Sequence, residues 1–389
     1  MATVNTGTRG TKLVTGTENV NVRDVSERIL LLQPNAAPLI SYQAGMGAKK
    51  VAFNPTFEWL QDELSPNTVT DSGGSGTGTT INLTTNEGGY VRPNDVLIAP
   101  NGESIHVTSK STDALTVQRS MGSVAADDIA TGEQFVIIGQ AVQEGSDIPS
   151  YRHTEQVTKT GYIQIFKDPV ILTEIQNATK SYGGPDRTKK RMLAAIEHKR
   201  SIEQAFLFGD AFEQTSGTQT LRGTGGLINE ISTNVLAAGG VLSESDFTDS
   251  FLVDVFRYQP EIPLDTKLAF FSPILIAAIN SWAKGALRIT SNEKSFGVKL
   301  GTYVSAHGEL KIIRHWLLKD FTEFQKYGFV VDPQFTSYRF MDGLDTKLHV
   351  NTQADSVSSI QDEYRTACGH QLGLEKAHGV ISGVTGYAA

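Results

Sequence analysis

GGPDRTKKRMLAAIEHKRSIEQAFLFG, residues 183–209, is the stretch around which the rest of the chain must be arranged. Gly183, Gly184 and Pro185 set a start, Asp186 and Thr188 place short polar side chains in the first turn, and Gly209 predicts a left-handed stop. At 3.6 residues per turn, Met192, Ala195, Ile196, Ile202, Phe206 and Leu207 fall on one arc. Lys190, Arg191, Glu197, His198, Arg200, Ser201 and Gln204 fall on the other, so the spacing predicts a helix with a core side and a wet side. Lys199 and Glu203 intrude on the apolar arc four residues apart, where they are expected to neutralise each other with their stems along the core. At 1.5 Å per residue such a helix spans roughly 35 Å, about the width of a small domain.

Working outward, the chain has 389 residues, 39% hydrophobic and 20% charged, enough for one large or several small globular domains. The formal charge of -8 argues against a chain built to grip nucleic acid as a whole, although Lys189, Lys190 and Arg191 form a local basic cluster. That cluster reads either as a solvated helix start or as a surface facing a polyanion. A single cysteine, Cys368, rules out an internal disulfide framework and points to a reducing compartment or to a fold that needs no staples. The start, MATVNTGTRGTKLV, lacks the apolar run of a secretion signal, and the most apolar stretch, Leu268 to Ile279, is shorter than a membrane span and holds Ser272 and Pro273. A soluble, unexported chain with no membrane partner is expected.

Before the long helix, residues 1 to about 20 are polar and without period, and read as an extended arm ordered only against a partner. NVRDVSERILLLQPNAAPLISY, residues 21–42, carries a short helical pattern interrupted by Pro34 and Pro38. KKVAFNPTFEW, residues 49–59, predicts a strand. From about Asp62 to Ile148 the composition changes: DSGGSGTGTT reads as a flexible linker, followed by strands at 81–84, 95–98, 104–109, 115–119 and 135–138. PNG at 100–102 predicts a hairpin turn. These strands suit a small β-barrel or sandwich inserted between flanks, 49–59 and 151–165, able to pair as one long hairpin. After the long helix, helices at 247–258 and from Ser272 to about Trp282 alternate with strands at 267–271, 303–305, 310–317 and 328–331, an α/β unit. The tail, 347–383, has strand patterns broken by Asp, Asn and Gly.

Little in the sequence suggests catalysis. DSGGSGTGT has no following Lys and lies between β segments, so it lacks the context of a phosphate loop. Cys368 and His370 would share one face of a strand, but no third group positions them. The eight histidines are scattered without metal-ligand spacing, and Asp62–Glu63 and Asp127–Asp128 read as solvated loop faces. No catalytic residue, cofactor or metal is assigned. Trp59, Trp282 and Trp316 are candidate interface anchors, with core packing the commoner fate.

The order of these pieces resembles the major capsid proteins of tailed double-stranded DNA bacteriophages, which have the HK97-like fold. The likeness covers nearly the whole chain and is carried by NVRDVSERILLLQPNAAPL, FEWLQDEL, RPNDVLIAPNGESIHVTSK, the long helix ending AFLFG, LRGTGGL and LGLEKAHGVISG. The resemblance implies an α+β fold with an N-arm (1–40), an E-loop (41–62 and 149–172), an inserted all-β domain (63–148), a P-domain with a spine helix (173–240), an A-domain (241–340) and returning P-domain strands (341–389). It implies a structural subunit, not an enzyme, that forms hexamers and pentamers of an icosahedral head around double-stranded DNA, with synthesis in the host cytoplasm and residence in the virion. Relatives that open with a long helical scaffold-like segment differ from this short polar arm, so a separate scaffolding protein is expected. A portal and a decoration protein on the insertion are further candidate partners. Lys189, Lys190 and Arg191 would be the DNA-facing candidates, and Val22, Arg23, Trp59 and Glu63 the assembly contacts. An encapsulin-like nanocompartment and, from another class, a carbohydrate-binding or adhesive β protein are the alternatives.

Overall fold

A computed structural model describes residues 37–149, 151–179, 185–257, 266–282, 293–295, 298–319 and 323–387. Val22, Arg23, most of the N-arm and the glycines expected to open the long helix lie outside these residues. The described chain separates into two compact units, one of residues 59–159 and one formed by the segments on either side.

The chain enters through helix α1 (Pro38–Gly45) and strands β1 (Lys49–Ala52) and β2 (Thr56–Gln61). The single strand expected over 49–59 is thus two, split at Phe53–Pro55, where Pro55 has no amide to give a ladder. The smaller unit then holds β3 (Thr68–Thr70), β4 (Thr80–Asn82), β5 (Asp95–Ile98), β6 (Ser104–Ser111), β7 (Ala114–Gln118) and β8 (Gln134–Gln140). Their order is β3-β8-β5-β6-β7-β4, every pairing antiparallel. A bridge between Asp71 and Leu83, flanked by Ser72 N–H to Asn82 O and Thr84 N–H to Thr70 O, joins β4 back to β3. The sheet therefore closes as a barrel and leaves no open edge. Alternation along each strand sends Val69, Ile81, Leu97, Ile105, Val107, Leu115, Val117 and Phe135 inward to a dry core.

The glycine-rich run is a built loop, contrary to the flexible linker expected of it. The buried Asp71 carboxylate accepts the amides of Gly73 and Gly74 and the Ser75 hydroxyl, and Arg119 donates to Gly76 O at 3.0 Å. A carboxylate thus fills the amide nest that an anion would need. Arg119 also grips buried Glu103 through both carboxylate oxygens at 2.7 and 2.6 Å, tying the loops at one end of the barrel.

Strand β9 (Val157–Tyr162) pairs with β2, and β10 (Gln164–Thr173) and α2 (Glu174–Ala178) follow. The long helix, α3, runs Asp186–Phe208. After it come β11 (Phe212–Ser216), β12 (Gln219–Gly223), α4 (Leu227–Glu230), β13 (Val235–Leu242), α5 (Leu252–Arg257), β14 (Thr266–Phe271) and α6 (Pro273–Trp282). Then come β15 (Glu293–Ser295), β16 (Val298–Val304), β17 (Glu309–Arg314), β18 (Gly328–Val331), β19 (Thr336–Met341), β20 (Lys347–His349), β21 (Ser359–Leu372) and β22 (Gly379–Tyr387). One sheet runs β1-β19-β21-β10, with β20 also paired to β21; the other runs β13-β22-β18-β14-β17-β16-β15. Helix α3 lies on β10 and β21. Its Ile202, Phe206 and Leu207 share a core with Phe270, Phe329 and Tyr338. A second core gathers Phe247, Phe251, Phe271 and Leu275.

The inward face of α3 differs from the expected arc. Its buried residues are Ala194, His198, Ile202, Glu203, Phe206 and Leu207, while Met192 is 55% exposed. The stripe still has helical period but is turned toward polar residues, because the sheet beneath offers them partners. Gly209 is also not left-handed: its φ of -61 and ψ of 157 are extended. Glycine is needed there for close approach, since a Cβ would lie 2.4 Å from Ala205 O and 2.5 Å from Thr224 O.

Candidate assembly surfaces and the frame that holds them

Along the first half of α3 the contact with the sheet is ionic and hydrogen-bonded. Asp362, on β21 and buried, accepts Arg187 Nε at 2.8 Å and Nη2 at 2.6 Å, Arg191 Nε at 2.7 Å and the Asn351 amide at 3.1 Å. The Arg187 guanidinium first, and Arg191 after it, hold the Asp362 carboxyl well below the usual carboxylate range against the opposing effect of burial. Two turns further on, His198 is enclosed between Asp168 of β10, 2.5 Å from Nδ1, and Thr366 of β21, 2.7 Å from Nε2. Beyond that, Phe206 meets the His370 ring at 5.2 Å. Asp362, Thr366 and His370 are spaced by four along one strand, so all project to the helix side. The candidate cluster 189–191 is therefore divided. Arg191 is committed to Asp362, Lys189 is half-buried, and Lys190 is exposed.

Glu203 does not pair with Lys199 as expected; Lys199 is exposed while Glu203 is fully buried. The Glu203 carboxylate accepts the Leu39 and Ile40 amides at 2.7 and 2.9 Å, the orphan donors of the first turn of α1, and lies 2.8 Å from His315 Nε2. Ala37, at the N-cap, has no side chain able to do this. A residue on the long helix thus caps a helix more than 160 positions earlier, and fixes where the entering segment meets the body.

Buried polar groups continue behind the sheets. Lys267 donates to the Val255 and Ala377 carbonyls at 2.9 and 2.6 Å, and burial pushes its ammonium down to about 8 despite the opposing charge of Asp332. His378 accepts the Asp332 amide at Nδ1 and donates to Gly373 O from Nε2; burial pushes it down to about 3. Cys368 is fully buried and burial pushes its thiol up to about 12, so it stays protonated and inert. Cys368 and His370 share a strand face, yet neither reaches solvent. Among the described residues no group of three or more metal-ligating side chains occurs, and no helix is long and apolar enough to cross a membrane.

The exposed surface has the opposite character. Large apolar side chains are exposed in both units; on β2 Leu60 is 64% exposed, in the segments flanking β2 and β9 Leu64 is 95% exposed, Ile148 96% and Tyr151 85%, and Phe53, before β2, is 76% exposed. Trp59 lies half-buried on β2, and Glu63 is exposed just beyond its end. Singly such residues are ordinary, but several of them on and beside one pair of strands mark an interaction surface.

The SU10 major capsid protein family matches residues 3–385 of the chain. The chain belongs to that family. A relative, the major capsid protein of Pseudomonas phage PaMx41, is 23% identical over 345 residues, covering 85% of this chain and 81% of its own. Among solved structures, the capsid of a native GTA particle is 10% identical, covers 95% of this chain and 96% of its own, and aligns with a TM-score of 0.47. That of Microbacterium phage Oxtober96 is 10% identical, with coverage of 93% and 96% and a TM-score of 0.46. The SrpI encapsulin of Synechococcus elongatus PCC 7942 is 12% identical, with coverage of 61% and 80% and a TM-score of 0.44. As a major capsid protein the chain is a structural component of the phage virion and not an enzyme. The described elements follow the order of an HK97-like fold: paired strands carrying a β unit, a long helix, a mixed sheet with helices, and returning strands. Asp362 and Thr366, which hold this frame together, went unnoticed in the sequence, and Glu203 was noticed but expected to pair with Lys199 instead of with α1 and His315. The signal for them was the set of charged and polar residues at helical spacing with the core face of α3.

Proposed function

We propose that this capsid protein builds hexamers and pentamers of an icosahedral head that encloses double-stranded DNA, assembling with a separate scaffolding protein and closing around a portal. The observation that carries the reading is the set of exposed apolar side chains on β2 and in the segments flanking β2 and β9, Leu60, Leu64, Ile148 and Tyr151. A lone subunit has no use for such a surface, and a neighbouring copy covers it. Residues 1–40 act as the N-arm, 41–62 and 149–172 as the E-loop, 173–240 and 341–389 as the P-domain, and 241–340 as the A-domain. Val22 and Arg23 on the arm and Trp59 and Glu63 at the ribbon make contacts between subunits. Synthesis takes place in the host cytoplasm.

DNA is enclosed without sequence reading. Lys189, Lys190 and Arg191 mark the face turned to packaged DNA, and the net charge of -8 keeps the wall from gripping its contents. The barrel, within the 63–148 insertion, strengthens contacts between capsomers or receives a decoration protein. Negative-stain electron microscopy across a concentration series, with light scattering to follow mass, tests the assembly reading. Rings of five or six, tubes or closed shells are expected. A chain that stays monomeric even with its scaffolding protein supplied overturns it.

A further inference from the structure

Strands β11 and β12 form a two-stranded sheet with no third strand, and residues 210–219 and 221 are all exposed. A lone hairpin of this size is marginal in water, so its persistence needs explaining. One face explains part of it: Arg222 Nε donates to Glu213 at 2.9 Å, and the Thr215 and Thr220 hydroxyls meet at 3.3 Å across the ladder. The other face carries Phe212, Gln214 and Leu221, brought together by the Phe212–Gly223 and Gln214–Leu221 register. Phe212 is 43% exposed and Leu221 62%, so two large apolar side chains stand uncovered at the base of this face, with Gln214, Ser216 and Gln219 beside and beyond them.

The base of the hairpin is rigid. Gly209 N–H bonds to Ala205 O at the end of α3, while Gly209 O accepts the Gly226 amide at 3.0 Å and Asn229 Nδ2 at 2.8 Å. Thr224 N–H bonds to Gln164 of β10 at 3.2 Å. The apolar face is therefore held at a fixed angle to the long helix, which lowers the ordering cost of docking. From these observations we propose that the Phe212–Gly223 hairpin is a docking finger whose Phe212/Leu221 face seats on a second copy of this chain. Its dozen residues are about half the 20–30 a side of a self-sufficient interface. That is too little for an independent dimer or a tight foreign complex, and it suits a contact repeated around a ring of identical subunits.

The inference rests on the shell-subunit reading, and hydrogen exchange separates the two. Amides 212–223 are followed in free subunits and in shells assembled from the purified chain. Exchange at least about tenfold slower in the shell is expected. Equal rates in both states overturn the docking finger while leaving the shell reading intact, as does protection that appears only when a second protein is added. Failure of the wild-type chain to assemble even with its scaffolding protein supplied removes both. In parallel, F212S/L221S, which spares the Glu213–Arg222 pair and the turn, is expected to keep the wild-type melting temperature. It should require about tenfold more protein to assemble, and assembly at the wild-type concentration overturns the proposal.

Discussion

Replacing Asp362 with Asn tests whether the polar ladder beneath α3 holds the body together. The carboxylate is almost wholly buried and accepts three guanidinium N–H groups and one amide. Asn keeps the shape but removes the charge and turns one acceptor into a donor facing Arg187 and Arg191. Breaking a buried ion pair from one side costs about 3–5 kcal/mol. Both arginines keep about a quarter of their side-chain surface in water, which moves the expectation to the lower end, about 3 kcal/mol. At about 2 °C per kcal/mol for a unit of this size, the unassembled subunit should melt about 6 °C lower. The pH dependence has a definite sign. The folded carboxyl lies well below the unfolded value of about 3.9, so its contribution is complete above that value and is lost as pH falls toward the folded one. The gap between wild type and D362N should therefore be constant from pH 7 to 5 and close below pH 4. A gap of less than about 1 °C at pH 7, or one that widens in acid, refutes the clamp; the first result would place it with ordinary surface pairs.

Three further outcomes follow from the same frame. E203A leaves two amides of α1 and His315 without their acceptor and should cost about 3 kcal/mol, with amides 39–46 exchanging faster than those of the barrel, measured by hydrogen exchange. Because unfolded His binds a proton near pH 6.5 while buried His378 is pushed down to about 3, stability should fall as pH drops from about 6.5; H378Q should melt lower at pH 7.5 yet show a flatter profile between pH 6.5 and 4. G209A should destabilise by about 2–3 kcal/mol in urea unfolding, because the added Cβ meets two backbone oxygens that belong to a helix end and a packed turn.

Most of the secondary structure was legible because it is local. Capping chemistry placed α6, where Ser272 Oγ accepts the Leu275 amide at 3.3 Å behind Pro273. Alternation placed β5 at Asp95–Ile98 and β18 at Gly328–Val331. What sequence reasoning missed is the set of partners. Arg191 and His198 look like the wet side of a surface helix, and Glu203 like an intruder on its apolar arc, until Asp362, Asp168, Thr366 and the first turn of α1 are brought to them, and every one of those is far off in sequence except Asp168. Hydrophobic periodicity assigns the phase of a helix only when its buried stripe is apolar. Here the stripe mixes the buried polar residues His198 and Glu203 with Ala194, Ile202 and Phe206, so apolar spacing alone turns the arc and places Met192 inside. The glycine-rich loop failed for a related reason: composition reports backbone freedom, but the Asp71 carboxylate that removes that freedom is one residue in the run.

The exposed apolar side chains at and beside β2 and β9 set the strength of any contact between two copies. Covering Phe53, Leu60, Leu64, Ile148 and Tyr151 would return about 1.5–3 kcal/mol each, roughly 10 kcal/mol in sum. Bringing two subunits together costs about 4–15 kcal/mol in lost freedom. One such contact between two copies is therefore near break-even, and the net charge of -8 opposes it further. Closing a ring changes the balance: the last subunit gains two contacts for one loss of freedom, so assembly becomes steeply dependent on concentration. That balance needs a body that does not deform as contacts accumulate. The Asp362 clamp and the Glu203 cap serve that need within the larger unit, where the first joins the long helix to β21 and the second joins it to α1.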